Sequence, residues 1–587
     1  MTAVLRARSS STSTSSTTST NVAGPAPAPA SCPPLPLLVL SLRGSQAEMG
    51  AQHGRLLREA GGHEAAIAFY PGLPERLLRG GLEYPVDRLV ERWGGALKGL
   101  LLGRMERQRP ADYLERTRAF NEALGWPRSH SRHLLVMDLF QNVVGLIGRL
   151  GLAPLSRRAS AAALPACSTL AVWDGASAGG ELRHARNFDF PGIGIWDRAP
   201  VVAFCAPERG VRYGFVTTRG ADLPGVTAFN EAGLTVTAHT RFHRDIRFTG
   251  AAVVDLGHDI VRRAESLADA VAIARERPVS SSWGLAVSSA RERRAVVIET
   301  AGSQIEVVEP RQDHLTCANR YRHAATRRGE VDASAAWAEH SDAREQRLHD
   351  LVEHGRSRGG LERHDLEQVL ADQTDPDAPA RTRGAGGVVS QPATVQSIVA
   401  EPARRALHVS VGPAPTSQGP FVRVPWSWDA PVGAVVAADV APPRRADAYA
   451  RYVEAARLDV HTHDLAAVLA ELAAAVALEP DDPSYRFLAG CLSLREGQAE
   501  RALAHLEHGL LHEVAPFRRG QLGFWAARAA DVARRPERAA ALRAELLASP
   551  DPRLVELRSS AARDRSRPFD ARRARRIQLN MMVCDAV

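Results

Sequence analysis

The feature that most constrains this chain is a change of hydrophobic period at Pro165-Ala166-Cys167. Before it, from about residue 46 to 150, apolar residues recur at helical spacing, as in 86-VDRLVERWGGALKGLLLGRME and 131-SRHLLVMDLFQNVVGLIGRL. After it, short strand-like runs follow one another at 168–174, 181–187, 200–206, 211–218, 225–230 and 233–240. Turns at Asp174-Gly175, Gly179-Gly180 and Glu231-Ala232-Gly233 separate them. A helix pair over about 250–276 precedes strands at 283–289, 294–300, 304–309 and 314–318. Helix returns over 334–372, and 394–400 with 405–411 closes as a hairpin around Glu401-Pro402. One further strand, 35–43, stands ahead of the helical stretch. Strand runs alternating with helix pairs predict layered sheets with helices outside, an α+β arrangement.

At 587 residues the chain exceeds one ordinary core, and its 45% hydrophobic and 24% charged residues have the balance of a globular protein. Residues 9–20 are all Ser and Thr and 24–36 are Pro/Ala-rich, so 1–34 is expected to be disordered, with no apolar leader segment. The run Pro36-Leu37-Leu38-Val39-Leu40 is too short to span a bilayer. The expected divisions are a helical pro-segment at 35–166, a catalytic core at 167–412, a Pro-rich linker at 413–444, helical repeats at 445–548 and a basic flexible tail at 549–587. The repeat segments 464–479, 484–496, 499–512 and 517–533 form helix pairs with a period near 34 residues, which resembles tetratricopeptide (TPR) repeats and offers a surface for a protein partner.

The net charge of +8 is concentrated: residues 557–587 hold eight arginines against three aspartates, so no basic stripe on a folded domain points to nucleic acid. Lys98 is the sole lysine, which nearly excludes Schiff-base and Ser–Lys chemistry and, with the abundance of Ala and Arg, fits a GC-rich bacterial coding sequence. Cys32, Cys167, Cys205, Cys317, Cys491 and Cys584 are scattered without a C-x-x-C pair, which fits a reducing, cytoplasmic compartment and neither a zinc knuckle nor a disulfide scaffold.

Chemistry concentrates in 167-CSTLAVWDGASAGGELRHARNFDF. A hairpin here brings Arg186 and Asp189 back beside Cys167. A thiol attacks only as thiolate, and a neighbouring guanidinium favours that form. Asp189 offers a carboxylate to hold an ammonium group. Asn230 and Asn319 each follow a strand and offer amide N–H groups of the kind a tetrahedral oxyanion requires.

These residues resemble a known family, the penicillin acyltransferase-like branch of the N-terminal-nucleophile (Ntn) hydrolases, related to the choloylglycine hydrolases. The matching segments are Cys167-Ser168-Thr169, the R-N-x-D of Arg186 to Asp189, Asn230-Glu231-Ala232-Gly233-Leu234, Asn319-Arg320-Tyr321 and the upstream G-S-x-x-E-M-G-x-x-x-G of Gly44 to Gly54. They occur in the family's order over about 38–412. The resemblance implies a four-layer αββα fold and a precursor that cuts its own Ala166–Cys167 bond. The freed α-amine of Cys167 would then serve as base for its own thiol, so no histidine partner is needed. By the same resemblance Cys167 is the nucleophile, Arg186 and Asp189 orient thiol and amine, and Asn230 and Asn319 help form the oxyanion hole. For a later family arginine, Arg381 and Arg383 are the candidates. Ala166 replaces the glycine often found before the cysteine.

Other motifs carry less. The pairs His239/His243 and His461/His463 lack an acidic ligand cluster, so no metal is expected. The two G-x-S-x-G matches, at Ser177 and Ser357, lack the strand-to-helix context of a nucleophile elbow. The expected function is hydrolysis of a linear amide in a small molecule, or transfer of its acyl group, through a Cys167 thioester, with no cofactor. The alternative is a catalytically inactive Ntn-like scaffold with a protein-binding repeat region. A lipid amide, as in ceramidase-like relatives, ranks lower because no membrane-binding helix is evident.

Overall fold

The computed structural model describes residues 34–66, 69–70, 73, 95–152, 166–331, 333–438, 447–462 and 464–587. The low-complexity segment 1–33 with Cys32, the helical reading of 86–94, Pro165 and His463 lie outside the described residues.

Strand β1 (Leu37–Gly44) enters helix α1 (Gln46–Ala60) through a capping box: the Glu48 N–H donates to Ser45 Oγ, and the Ser45 N–H donates to Glu48 Oε2 at 2.8 Å. The G-S-x-x-E motif is therefore a helix start. Gly50 and Gly54 make the rest of that motif a packing face, because a Cβ on either would collide with the backbone carbonyls of Arg116 or Phe120 on α3 (Ala111–Leu124). Helix α2 (Gly95–Glu106) precedes α3, and α4 (Val136–Arg149) ends the helical stretch.

The strands then come in hairpin order: β2 (Ser168–Asp174), β3 (Gly180–Asp189), β4 (Pro200–Pro207), β5 (Tyr213–Thr218), β6 (Thr227–Asn230) and β7 (Leu234–Thr240). Helices α5 (Val253–Arg263) and α6 (Leu267–Arg275) lead to β8 (Ser282–Ser289), β9 (Arg294–Ala301), β10 (Gln304–Val308) and β11 (His314–Cys317). Helices α7 (Ala335–Arg356) and α8 (Arg363–Leu370) are followed by the small pair β12 (Thr374–Asp375) and β13 (Ala378–Thr382), then by β14 (Thr394–Glu401), β15 (Ala406–Ser410), β16 (Phe421–Pro425) and β17 (Gly433–Ala438).

These strands build two large sheets. One has the order β10-β9-β8-β7-β6-β5-β4-β1-β17 and the other β11-β2-β3-β14-β15-β16. Their inner faces meet through two apolar clusters. Val202, Phe204, Val216 and Phe229 face Ile398, Leu407, Val409, Trp426 and Trp428 in one; Ala286 and Val297 face Ala171, Trp173 and Leu182 in the other. The outer face of the six-stranded sheet packs Leu170, Val172 and Val399 on Leu348 and Val352 of α7 and Leu366 and Leu370 of α8. Helices α1, α5 and α6 cover the nine-stranded sheet. The packing order is therefore helix, sheet, sheet, helix.

Two sequence expectations are corrected. The 413–444 linker contains β16, which extends the six-stranded sheet, and β17, which pairs antiparallel with β1. Its Trp426 and Trp428 are core residues, with the Trp428 indole N–H donating to the Tyr213 carbonyl at 2.7 Å. The 549–587 tail is folded as well. Helix α15 (Val555–Ser566) ends in a chain that buries Ile577, Met581, Val583 and Cys584, and Arg518 donates to the Val583 and Cys584 carbonyls. Arginine count misled there, because eight of the eleven final residues are apolar and most of them find a core.

Between these segments lie α9 (Ala448–His461), α10 (Leu465–Leu478), α11 (Pro483–Arg495), α12 (Ala499–His512), α13 (Pro516–Val532) and α14 (Pro536–Ala548), each packed on the next. This C-terminal helical region is fastened to the sheets by buried charge. Arg383 donates to Asp375 at 2.7 Å and to Glu513 at 2.9 Å, all three side chains at most 6% exposed. Arg518 on α13 reaches Glu339 on α7 at 2.8 Å.

Removing one partner of a buried ion pair strands the other charge. Arg383→Met leaves Asp375 and Glu513 without their cation and is expected to cost about 3–5 kcal/mol in urea unfolding monitored by circular dichroism. A loss below about 1 kcal/mol would mean that the Arg383 cluster does not fasten the helical region.

Candidate active site

Cys167 sits one residue ahead of β2 and is buried. Successive residues of a strand face opposite ways, so Thr169, Ala171 and Trp173 share the Cys167 side, toward the nine-stranded sheet. The contacts agree: Thr169 Oγ1 meets Thr237 Oγ1 across the gap at 3.0 Å. Strand β3 pairs antiparallel with β2 and sets Arg186 opposite Thr169, on that same face. Arg186 Nη2 consequently lies 3.6 Å from Cys167 Sγ.

The hydrogen bonds of Arg186 go to neutral oxygens. Nη2 donates to the Ala238 carbonyl at 2.7 Å, and Nη1 donates to the Val226 carbonyl and Thr227 Oγ1. The guanidinium also lies over the Phe188 ring, 4.8 Å from its centroid. Burial pushes the Cys167 thiol up, while the Arg186 charge pulls it back toward thiolate and Asp189 opposes that pull.

Asp189 has the other parity of β3 and faces the α7 side. Its carboxylate accepts from Thr394 Oγ1 at 2.6 Å and Gln391 Nε2 at 2.7 Å. Burial pushes this carboxyl up to about 7, against the pull of Arg344 and its hydrogen bond from Thr394. Arg344, on the inward face of α7 and fully buried, donates through Nη1 to the Cys167 carbonyl at 2.8 Å and to Ser168 Oγ at 2.9 Å. Its Nη2 donates to Asn319 Oδ1 at 2.8 Å, and that same Oδ1 accepts the Cys167 N–H at 3.0 Å. Cys167 is thus held at its N–H by Asn319 and at its C=O by Arg344. Asn319 is itself fixed, its Nδ2 donating to the Thr240 carbonyl at 3.1 Å and its N–H to Ser341 Oγ at 3.0 Å.

The structure brings Cys167, Arg186, Asp189 and Asn319 together, with Ala166 buried beside them. It does not bring Asn230. That amide donates to the Val261 and Ala264 carbonyls at 3.1 and 2.9 Å and accepts the Leu234 N–H at 3.0 Å, stapling the β6–β7 turn to the end of α5. Asn230 lies three residues past Thr227, the residue that touches Arg186, which is about 10 Å of extended chain. Turn chemistry, not an oxyanion, explains this asparagine.

Arg381 and Arg383 also lie elsewhere. Arg381 donates to the His512 carbonyl at 2.9 Å, and Arg383 fastens the helical region. The later arginine that joins Arg186 at Cys167 is Arg344. Sequence reading missed it because 341-SDAREQRLHD is strongly polar and reads as a solvated helix face. The available signal was spacing: Trp337, Ser341, Arg344 and Leu348 recur at three and four residues, one buried stripe of α7. The remaining motif residues have local roles. Ser177 Oγ donates to the Glu181 carbonyl, Ser357 Oγ to the His354 carbonyl, and His239 pairs with Thr169 while His243 pairs with Thr326.

The cluster therefore contains two buried guanidiniums, Arg186 and Arg344, and one buried carboxylate, Asp189. Surplus positive charge in a buried site favours a group that becomes anionic, such as a thiolate or a tetrahedral oxyanion.

Comparison with known proteins bears on this geometry. Residues 184–413 match the family model described as acyl-coenzyme A:6-aminopenicillanic acid acyl-transferase. That span contains Arg186, Asp189, Asn319 and Arg344 and begins after Cys167. No curated protein matches the sequence. Among solved structures, the Caenorhabditis elegans N-acylethanolamine-hydrolyzing acid amidase ortholog is similar at 16% identity with a TM-score of 0.28, covering 40% of this chain and 93% of that chain. The matched span, 184–413, supplies every partner named above for the Cys167 thiol and peptide, and it is similar to that acyl-transferase family model.

Proposed function

We propose that this protein is a self-processing cysteine hydrolase of the Ntn type, with the αββα fold of that class, acting on a linear amide bond. The observation that carries the reading is the placement of Cys167: its thiol lies 3.6 Å from a guanidinium that has no carboxylate partner among the described residues, while Asn319 and Arg344 grip its N–H and C=O. In the precursor, Cys167 Sγ adds to the Ala166 carbonyl carbon. The C–N bond breaks, the nitrogen takes a proton, and Ala166 is left as a thioester. Water then adds to that carbonyl and expels the sulfur, giving a carboxylate at Ala166 and a free thiol and α-amine at Cys167.

The same chemistry repeats on a substrate. The α-amine, in place beside Asn319 Oδ1, takes the thiol proton, and the thiolate attacks the substrate amide. Loss of the amine gives an acyl thioester, which water hydrolyses or a second amine intercepts. Hydrolysis is the default outcome, since transfer requires exclusion of water and an acceptor site. The C-terminal helices support the site in this reading, because Arg518 holds Glu339 on the helix that carries Arg344. An inactive scaffold would instead leave the chain whole.

Intact mass spectrometry of the purified protein is expected to show fragments 1–166 and 167–587, and Cys167→Ala to remain one chain. An uncut wild type would remove the α-amine mechanism. Substitution of the grip gives a second expectation. Arg344→Met removes the guanidinium donor from the Cys167 carbonyl and Ser168 Oγ and one of the two donors to Asn319 Oδ1, and should slow the appearance of the two fragments by at least about 100-fold, the scale of losing one electrostatic donor. Arg381→Met, which touches only the far helical region, should process at the wild-type rate. Equal rates for the two variants would refute the role given to Arg344. A third expectation follows from Asp189. Its carboxyl is raised by burial from 3.8 to about 7, so it favours the folded state at low pH and that contribution is lost as pH rises toward 7. Urea unfolding of Asp189→Asn in the uncut Cys167→Ala background should therefore show a smaller fall in stability between pH 4 and 7 than Cys167→Ala alone; parallel curves would contradict the raised carboxyl.

A further inference from the structure

Helix α12 carries His508 and His512 one turn apart, with side chains 34% and 33% exposed. Residues four apart share a helix face, so both imidazoles project to the same side, with ring centroids 4.8 Å apart. On that side stands Asp481 from the α10–α11 turn. His508 Nε2 is 2.9 Å from Asp481 Oδ1, and His512 Nε2 is 3.4 Å from the same oxygen. All three donor atoms fall within 4.8 Å of one another.

We infer that Asp481, His508 and His512 form a site for a divalent transition metal, of which Zn²⁺ has the best-suited chemistry. Two ligands at about 2.05 Å from a tetrahedral ion stand about 3.3 Å apart, and the two observed N···O separations bracket that value. Two neutral imidazoles and one carboxylate are a borderline-soft nitrogen and oxygen donor set, which selects zinc, nickel or copper over magnesium or calcium. The fourth position opens to solvent.

The surroundings allow a cation. Two guanidiniums lie close but have acceptors of their own: Arg381 donates to the His512 main-chain carbonyl at 2.9 Å, and Arg486, whose charge reaches Asp481, donates to the Pro480 carbonyl at 2.7 Å and lies 3.1 Å from His505 Nδ1. The turn that presents Asp481 is stiff: prolines stand at 480 and 483, and Asp482 caps α11 by accepting from the Ser484 and Tyr485 N–H groups. A second group of similar composition, His314, His349 and Glu353, is less suited, because Arg356 lies 3.4 Å from His314 Nδ1 and 3.3 Å from Glu353. Binding at Asp481 would tie the α10–α11 turn to the last turn of α12. Glu513, the next residue, is the one that grips Arg383, so the metal would stiffen the attachment of the helical region to the sheets.

The test is titration of the full-length, metal-stripped protein with Co²⁺, followed by its visible absorption, and then competition with Zn²⁺. One Co²⁺ per chain, displaced by Zn²⁺, is expected, with a melting temperature raised by saturating Zn²⁺. His508→Ala and His512→Gln should each weaken Co²⁺ binding by more than the about 10- to 100-fold that loss of a supporting partner costs. Both should melt like the wild type without metal, since neither side chain is in the core. His349→Ala should bind as the wild type does. Absence of stoichiometric Co²⁺ binding, or binding that survives both α12 substitutions, would overturn the site. Loss of binding in His349→Ala alone would move it to the other group and overturn it equally. None of these readings depends on self-processing or amide hydrolysis.

Discussion

Arg344 joins three pieces of chain that are distant in sequence: the Cys167–Ser168 start of β2, Asn319 after β11, and its own helix α7. Burying a guanidinium costs several kcal/mol unless its donors are satisfied. Here the Cys167 carbonyl, Ser168 Oγ and Asn319 Oδ1 accept from its two Nη groups, while Nε is buried without an acceptor among the described residues, so the cost is offset only if all three acceptors are held in place. The inner sheet contacts, the hydrophobic stripe of α7 and the bond from Arg518 to Glu339 all serve to fix those partners. Arg186 obeys the same constraint from the opposite face of the sheet, with two backbone carbonyls and a hydroxyl as its acceptors. Neutral acceptors matter chemically. They hold the cations without cancelling them, which leaves the field available to a sulfur or oxygen that acquires charge.

Much of this was legible in the sequence. The strand-turn-strand reading of 168–187 already places Arg186 beside Cys167, because an antiparallel hairpin with one face buried fixes which residues oppose each other. Asp189 and Asn319 follow from the same pairing and from the end of β11. The layered arrangement was readable from period alone, since runs of alternating apolar residues between helix pairs have few ways to bury both faces. The Gly44–Gly54 motif was visible as a pattern, whereas its physical content, a capping box and two glycines under α3, needed the structure.

What the sequence hid has common causes. Asn230 and Arg344 were misjudged because amide and guanidinium groups do similar work in turns, ion pairs and catalytic clusters, and only three-dimensional partners separate these. The stretch 413–444 reads as a linker by its prolines, yet Trp426 and Trp428 anchor it, and β17, whose partner β1 lies about 400 residues away, leaves no local trace. The tail misled by charge. Its arginines lie at or near the surface, Arg573 against Asp564, while Met581, Val583 and Cys584 turn inward. His508 and His512 were legible as an i,i+4 pair, but Asp481 lies 27 residues before the first of them and completes the set only in space.

Strand β1 has a consequence of its own. It lies inside the nine-stranded sheet, parallel to β4 on one side and antiparallel to β17 on the other, and α1 is packed beneath α3. A cut before Cys167 would leave it there, held on both edges, so the two pieces would behave as one body. Recovery after unfolding would differ. Threading a separate 37–44 segment between two strands already close enough to pair is a bimolecular event with no chain connecting the parts. The uncut chain would renature in a unimolecular step, and a cut protein would owe its lifetime to the height of its unfolding barrier, with little prospect of return once that barrier is crossed.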